Sequence, residues 1–262
     1  MIHSDCGNGG THVGEREFCQ VAAVVPAAGC GRRLGAGCSK ALLDLAGRPL
    51  LWHAVRPLVE SGWLDVLVVA GRAEELDRLE EILAPLGALP LEIALVPGGA
   101  ERSDSVRAGL VWLSAWTGWT PGVRRLVAVH DAARPFLSAA LWRNLVLAAA
   151  RDGAAIPGYQ TIDTLKHVDA EGKVVATVQR DGLYQVQTPQ VFEFEPFLAA
   201  HLEHPAGSPA TDDARIWEET GRPVTLLPGE RINFKITTEE DLLLAELLLR
   251  GRGGVDADWP RL

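Results

Sequence analysis

The sequence predicts an α/β fold with a mostly parallel sheet and helices on both faces. Three observations predict it: short apolar runs recur along the chain, helical periodicities separate them, and glycine- or proline-containing loops join the two. The apolar runs fall at 21–25, 66–70, 93–96, 126–129 and 154–156. They are apolar at every position rather than at alternate ones, as in strands buried on both faces of a parallel sheet. The first helix follows Pro49, a favourable first-turn residue, and places Leu51, Val55, Leu58 and Val59 on one face, with an irregularity expected at Pro57. Further helical patterns cover 76–83, 106–112 and 141–150. Alternating strands and helices imply right-handed βαβ units, whose ligands lie beyond the carboxyl ends of the strands.

The alternation stops near residue 160. Extended segments at 164–168 and 173–178 flank the turn Asp169-Ala170-Glu171-Gly172, which predicts a hairpin. A hairpin inserted late in such a domain projects from it and suits a subunit contact. A strand at 224–227 and a helix at 239–249 complete the pattern, and Trp112, Trp116 and Trp119 read as packing residues rather than a ligand platform. The expected organisation is a flexible extension over 1–20, one domain over 21–250 with a β-arm at about 160–186, and a tail over 251–262.

Composition narrows the function classes. A chain of 262 residues, 47% hydrophobic and 23% charged, suits one enzyme-sized unit. The net charge of -9 offers no broad basic surface for nucleic acid. No apolar stretch has membrane-spanning length and residues 1–20 lack a signal-like apolar core, so a cytoplasmic protein without a membrane partner is expected. Cys6, Cys19, Cys30 and Cys38 lack CxxC spacing and read as thiols in a reducing compartment. A metal site from His3, Cys6, His12 and Cys19 is disfavoured, because such ligands arise by chance in a Gly-rich leader.

Three loops carry chemistry. Pro26-Ala27-Ala28-Gly29-Cys30-Gly31-Arg32-Arg33, with Lys40 beyond it, combines small residues that let backbone amides approach an anion with nearby positive charge. It lacks the Gly-Lys-Ser/Thr of a Walker loop and the third glycine of a dinucleotide fingerprint, and a phosphate cradle is preferred over a solvated turn. Gly98-Gly99, before a helix containing Ser103, Asp104 and Ser105, reads equally as a site for a base edge and as a capped turn. In Val129-His130-Asp131-Ala132-Ala133-Arg134-Pro135, Asp131 could orient a ribose hydroxyl or a metal, or simply pair with Arg134. His130 has no nucleophile motif beside it and reads as structural.

Together these loops resemble the 2-C-methyl-D-erythritol 4-phosphate cytidylyltransferases. The resemblance runs from Val21 to Arg250 and extends to Asp163-Thr164-Leu165-Lys166, Arg180-Asp181-Gly182-Leu183, Gln187-Thr188-Pro189-Gln190-Val191-Phe192, Thr211-Asp212-Asp213-Ala214 and Asn233-Phe234-Lys235-Ile236-Thr237. It implies a Rossmann-like domain whose β-arm is exchanged in a homodimer. It also implies transfer of a cytidylyl group from CTP to methylerythritol phosphate, with release of pyrophosphate, in non-mevalonate isoprenoid synthesis. By this resemblance Arg33 and Lys40 stabilise the transition state; Pro26, Ala27, Ala28, Gly29 and Gly31 hold the nucleotide; Gly99 and Ser105 meet cytosine; and Asp131 and Ala132 hold the ribose. Lys235, Arg134, Thr164, Thr211 and, across the dimer, Arg180 would bind the acceptor, and Mg²⁺ would lie mainly on triphosphate oxygens. Asp213 stays open between site residue and surface acid. The chain departs from the family pattern at Ser39, Ala41, Ala100, Ile232 and Arg215. Two rival readings share the machinery: a cytidylyltransferase for a pentitol phosphate such as ribitol 5-phosphate, and a silent nucleotide-binding subunit.

Overall fold

The computed structural model describes residues 19–29, 39–87, 91–205, 207 and 212–251. In chain order the elements are β1 (Cys19–Pro26), β2 (Asp44–Leu45), β3 (Arg48–Pro49), α1 (Leu50–Glu60), β4 (Val66–Gly71), α2 (Leu76–Leu83), β5 (Glu92–Pro97), α3 (Arg102–Ser114), β6 (Arg124–Val129) and α4 (Ala139–Asp152). They continue with β7 (Ala154–Gln160), β8 (Leu165–Val168), β9 (Val174–Val178), β10 (Tyr184–Val186), β11 (Gln190–Glu193), α5 (Phe194–Glu203), α6 (Asp213–Glu218), β12 (Thr225–Pro228) and α7 (Glu239–Arg250).

Eight strands form the central sheet, pairing in the order β10-β7-β11-β6-β1-β4-β5 with β12 also on β7. Strands β6, β1, β4 and β5 are mutually parallel, and β11 runs antiparallel between β6 and β7. Ala155 pairs with both Val191 and Thr225, and Gly158 with both Val186 and Pro228. Strand β12 therefore lies along one edge of β7, while β10 and β11 follow one another along the other.

The continuous apolar runs form the parallel strands because both faces are covered. Val21, Ala23 and Val25 join a core with Leu51 and Val55 of α1, Leu79 of α2 and Trp142 of α4. Their neighbours Ala22 and Val24 point the other way, to Val106 and Leu110 of α3, Phe197 of α5 and Trp217 of α6. Helix α1 continues through Pro57 rather than ending there. Pro57 leaves the His53 carbonyl without its helical donor, at a cost of about 3 kcal/mol. Leu58 and Val59 beyond it are buried, and burying each is worth about 1.5–3 kcal/mol, enough to offset that cost.

The domain also begins earlier than the apolar run suggested. Cys19 and Gln20 pair with Arg124 and Arg125, and the Gln20 amide donates to the Gly118 carbonyl and accepts from the Thr120 N–H. Backbone pairing thus extends β1 beyond its hydrophobic stretch. Trp119 packs against Trp116 and Phe194, with ring centroids 4.9 and 5.3 Å away.

The hairpin forms as expected. Among the described residues β8 and β9 pair only with each other, around a turn in which Gly172 adopts φ 78°. Every residue of both strands is exposed.

Candidate active site

Strands β1, β5 and β6 end at one edge of the sheet, where their loops and residues 235–237 enclose a cleft of about 390 Å³. Pro26, Ala27, Ala28, Gly29, Lys40, Gly99, Ser105, Asp131, Ala132 and Lys235 all line it. Residues from every one of the three expected loops therefore meet in one place. Arg102, Glu101, Ala133 and Thr237 line it too.

The first loop is held from the sheet side. The Ala27 N–H donates to the Ala70 carbonyl (2.8 Å), and among the described residues the Ala28 and Gly29 amides have no hydrogen-bond partner. A Cβ on Gly29 would meet nothing within 4 Å. Small residues here leave open backbone beside the cleft, which suits an anion. Lys40 crosses the mouth, its Nζ 3.5 Å from the carbonyl oxygens of both Ile236 and Thr237.

At Gly98-Gly99 close packing explains the first glycine: a Cβ on Gly98 would stand 2.7 Å from Ser105 Oγ and 2.9 Å from Ala28 Cβ. Ser105 Oγ accepts from the Gly99 N–H at 3.1 Å and donates to the Glu101 carbonyl at 3.3 Å. The helix cap comes from Glu101 and Asp104, which form a capping box. Ser105 thus shapes the glycine loop while its side chain borders the cleft.

Asp131 is the electrostatic centre. Its Oδ1 accepts from Arg102 Nε (3.1 Å), and its Oδ2 faces Lys235 Nζ (3.0 Å) and Arg134 Nε (3.4 Å). Burial opposes ionisation of this carboxyl, but Arg102, Lys235 and Arg134 outweigh it and hold the group well below the usual carboxylate range. The pair with Arg134 and the place in the cleft are therefore both real. Arg134 itself stands behind Asp131, donating from Nη1 to the Asn233 carbonyl at 2.8 Å, and does not line the cleft. His130 is fully buried: its Nε2 lies 3.2 Å from the Arg134 carbonyl and its Nδ1 3.0 Å from the Thr188 hydroxyl.

Arg102 was not anticipated from sequence. Besides Asp131 it reaches Asp213, Nη1 to Oδ2 at 2.6 Å. Asp213 is 1% exposed, so it is no surface acid. Thr164 and Arg180 lie on the exposed arm, away from their own chain's cleft, with Arg180 Nη1 donating to the Ile162 carbonyl. Gly31, Arg33 and Thr211 fall outside the described residues, as do Cys6, Cys30, Cys38, His3 and His12; Cys19 is buried in β1. Among the described residues no helix is long and apolar enough to cross a membrane.

Comparison with known proteins places this geometry. The family model described as 2-C-methyl-D-erythritol 4-phosphate cytidylyltransferase (IspD) matches residues 21–251. A protein of that name from Saccharopolyspora erythraea is 44% identical over 230 residues, covering 87% of this chain and 99% of the relative. One from Symbiobacterium thermophilum is 41% identical, covering 87% and 92%. Among solved structures, 2-C-methyl-D-erythritol 4-phosphate cytidylyltransferase from Thermus thermophilus superposes with TM-score 0.67 at 34% identity, covering 88% of this chain and 99% of that one. A 4-diphosphocytidyl-2C-methyl-D-erythritol synthase from Anaerococcus prevotii gives TM-score 0.73 at 28% identity, covering 89% and 100%.

Proposed function

Because the chain belongs to the 2-C-methyl-D-erythritol 4-phosphate cytidylyltransferase family, we propose that it transfers the cytidylyl group of CTP to 2-C-methyl-D-erythritol 4-phosphate. A phosphate oxygen of the acceptor attacks the α-phosphorus. The new P–O bond forms as the bond to the β-phosphate oxygen breaks, and pyrophosphate leaves with the electron pair. The products are 4-diphosphocytidyl-2-C-methyl-D-erythritol and pyrophosphate.

The observation that carries this reading is one cleft lined by Ala28 and Gly29, whose amides have no partner among the described residues, and by the cations Lys40, Lys235 and Arg102 around an ionised Asp131. Two anions must meet and charge must move onto pyrophosphate, so fixed cations aimed at that charge are the main requirement, each worth about 3 kcal/mol. Lys40 and Arg33 take that role, Pro26, Ala27, Ala28, Gly29 and Gly31 hold the nucleotide, and Gly99 with Ser105 border the base. Asp131 and Ala132 hold the ribose, and Lys235 and Thr211 bind the acceptor phosphate. Arg134 fixes Asp131 from behind.

Magnesium fits this cleft as an ion carried on the triphosphate. Asp131 is already compensated by three cations, and among the described residues no group of three His, Cys, Asp or Glu could cage the ion. When bound it neutralises phosphate charge, while Lys40 and the loop amides hold the nucleotide that bears it.

The arm completes the site in a homodimer. An isolated two-stranded hairpin is marginally stable in water, and this one exposes Leu165, Val168, Val174, Val175 and Val178. A second copy covers these side chains and supplies Arg180 and Thr164 of the partner subunit to the acceptor. The enzyme acts in the cytoplasm, and its charge of -9 leaves nucleic acid without a binding surface.

Pyrophosphate release decides the reaction. With CTP and Mg²⁺ we expect release with methylerythritol phosphate at least about tenfold faster, in kcat/KM, than with ribitol 5-phosphate. Faster release with ribitol 5-phosphate would reassign the acceptor, and CTP binding without release on either would identify a silent nucleotide-binding subunit.

A further inference from the structure

Arg102 does more than complete the cleft wall. Its guanidinium joins two carboxylates from distant parts of the chain, Asp131 at 3.1 Å and Asp213 at 2.6 Å. The same two turns of α3 grip the chain between α5 and α6 at further points. Arg107 Nη2 donates to the His204 carbonyl, and Asp104 Oδ1 accepts from the Gly207 N–H at 3.1 Å. Asp104 Oδ2 meanwhile accepts from the Glu101 N–H at 3.2 Å, next to the glycine loop.

The two carboxylates are not equally dependent on Arg102. Asp131 keeps Lys235 and Arg134 if Arg102 is lost. Asp213 keeps only His201 among its described ion-pair partners, 3.7 Å away. A fully buried carboxylate left without its strong partner moves or drags its element with it. Asp213 opens α6 two positions after Thr211.

We propose that Arg102 is a positioning residue that ties the acceptor side of the cleft to its nucleotide side, resting on the cytidylyl transfer read above. Removing it loosens the acceptor side while the nucleotide side is kept by the remaining cations.

Arg102→Met, and Arg102→Met/Asp213→Leu, which replaces the ion pair with apolar side chains, test this. In the single variant we expect the acceptor KM to rise about tenfold or more with the CTP KM within about threefold. Amide exchange over 204–213 should quicken about tenfold while β4 stays unchanged. The double variant should recover the melting temperature, because no buried charge is left alone, yet keep the raised acceptor KM. If Arg102→Met does not fold, the double variant is assayed in its place. Equal rises in both KM values, or return of the acceptor KM with the melting temperature, would overturn the positioning role. If the wild type releases no pyrophosphate from CTP and methylerythritol phosphate, the reaction itself is misassigned. The exchange readout then still decides: unchanged exchange over 204–213 in the double variant sinks the anchor.

Discussion

His130 sits next to an ionised Asp131, yet it is held neutral. Burial is the leading cause and pushes the ring down to about 4, against the pull of Asp131, with Arg134 acting in the same sense as burial. The hydrogen bonds of Nε2 with the Arg134 carbonyl and of Nδ1 with the Thr188 hydroxyl favour the charged ring, and burial outweighs them; the Thr188 oxygen also accepts from the Asp131 N–H. In the unfolded chain the ring titrates near its ordinary value of 6.5, so between that value and about 4 the unfolded state binds more protons and stability falls with acidification. Asp131, with its folded pKa depressed, keeps its contribution throughout this window. We expect unfolding free energy to drop by about 3 kcal/mol between pH 7 and pH 4 from this residue. His130→Gln, which can keep both hydrogen bonds, should flatten that slope in urea titrations. Parallel slopes for wild type and variant would remove His130 as the cause.

At the scale of elements, α3 links core to cleft. Its Gly109 lies against β1, where an added Cβ would stand 2.6 Å from one Val24 methyl and 3.0 Å from the other. Val24 is fully buried, so it has no solvent to move into. Gly109→Ala gains about 1 kcal/mol of helix propensity, but overpacking a tight core costs about 1–3 kcal/mol. We expect a net loss and a melting temperature lower by about 2–4 °C. Because the clash is with one side chain, Val24→Ala should relieve it, and the pair should lose less than the sum of the two single variants. Full additivity in thermal unfolding would show that Gly109 is tolerant and that the contact does not set the helix-to-strand distance. The sequence made α3 visible through its apolar spacing but hid what it does. Arg102 stands between capping residues Glu101 and Asp104, and nothing local says that carboxylates 29 and 111 positions later converge on it. Asp213 was ambiguous for the same reason: one acid at a helix start reads alike whether it is solvated or buried.

The parallel strands and the cleft position were legible because burial on both sheet faces and glycine loops at strand ends leave local marks in the chain. Strand β12 was found, but its place along β7 depends on Thr225 meeting Ala155, a pairing no short pattern encodes. The arm was legible as a hairpin, and its strands expose every residue in a single chain. Lys40 and Arg180 therefore belong to different regions of one subunit, Lys40 on the cleft and Arg180 out on the arm. If the arm of one copy serves the cleft of another, a Lys40→Ala chain still offers a sound arm and an Arg180→Ala chain a sound cleft. Each homodimer should then lose activity by about a hundredfold. Mixed and exchanged, half of the subunits fall into heterodimers with one site carrying both defects and one carrying neither. Activity should return to about a quarter of wild type, measured as pyrophosphate release after subunit exchange is verified by mass spectrometry. Heterodimers that form and stay inactive would mean that each site is built within one chain, and the arm would then be a dimer contact without a catalytic share.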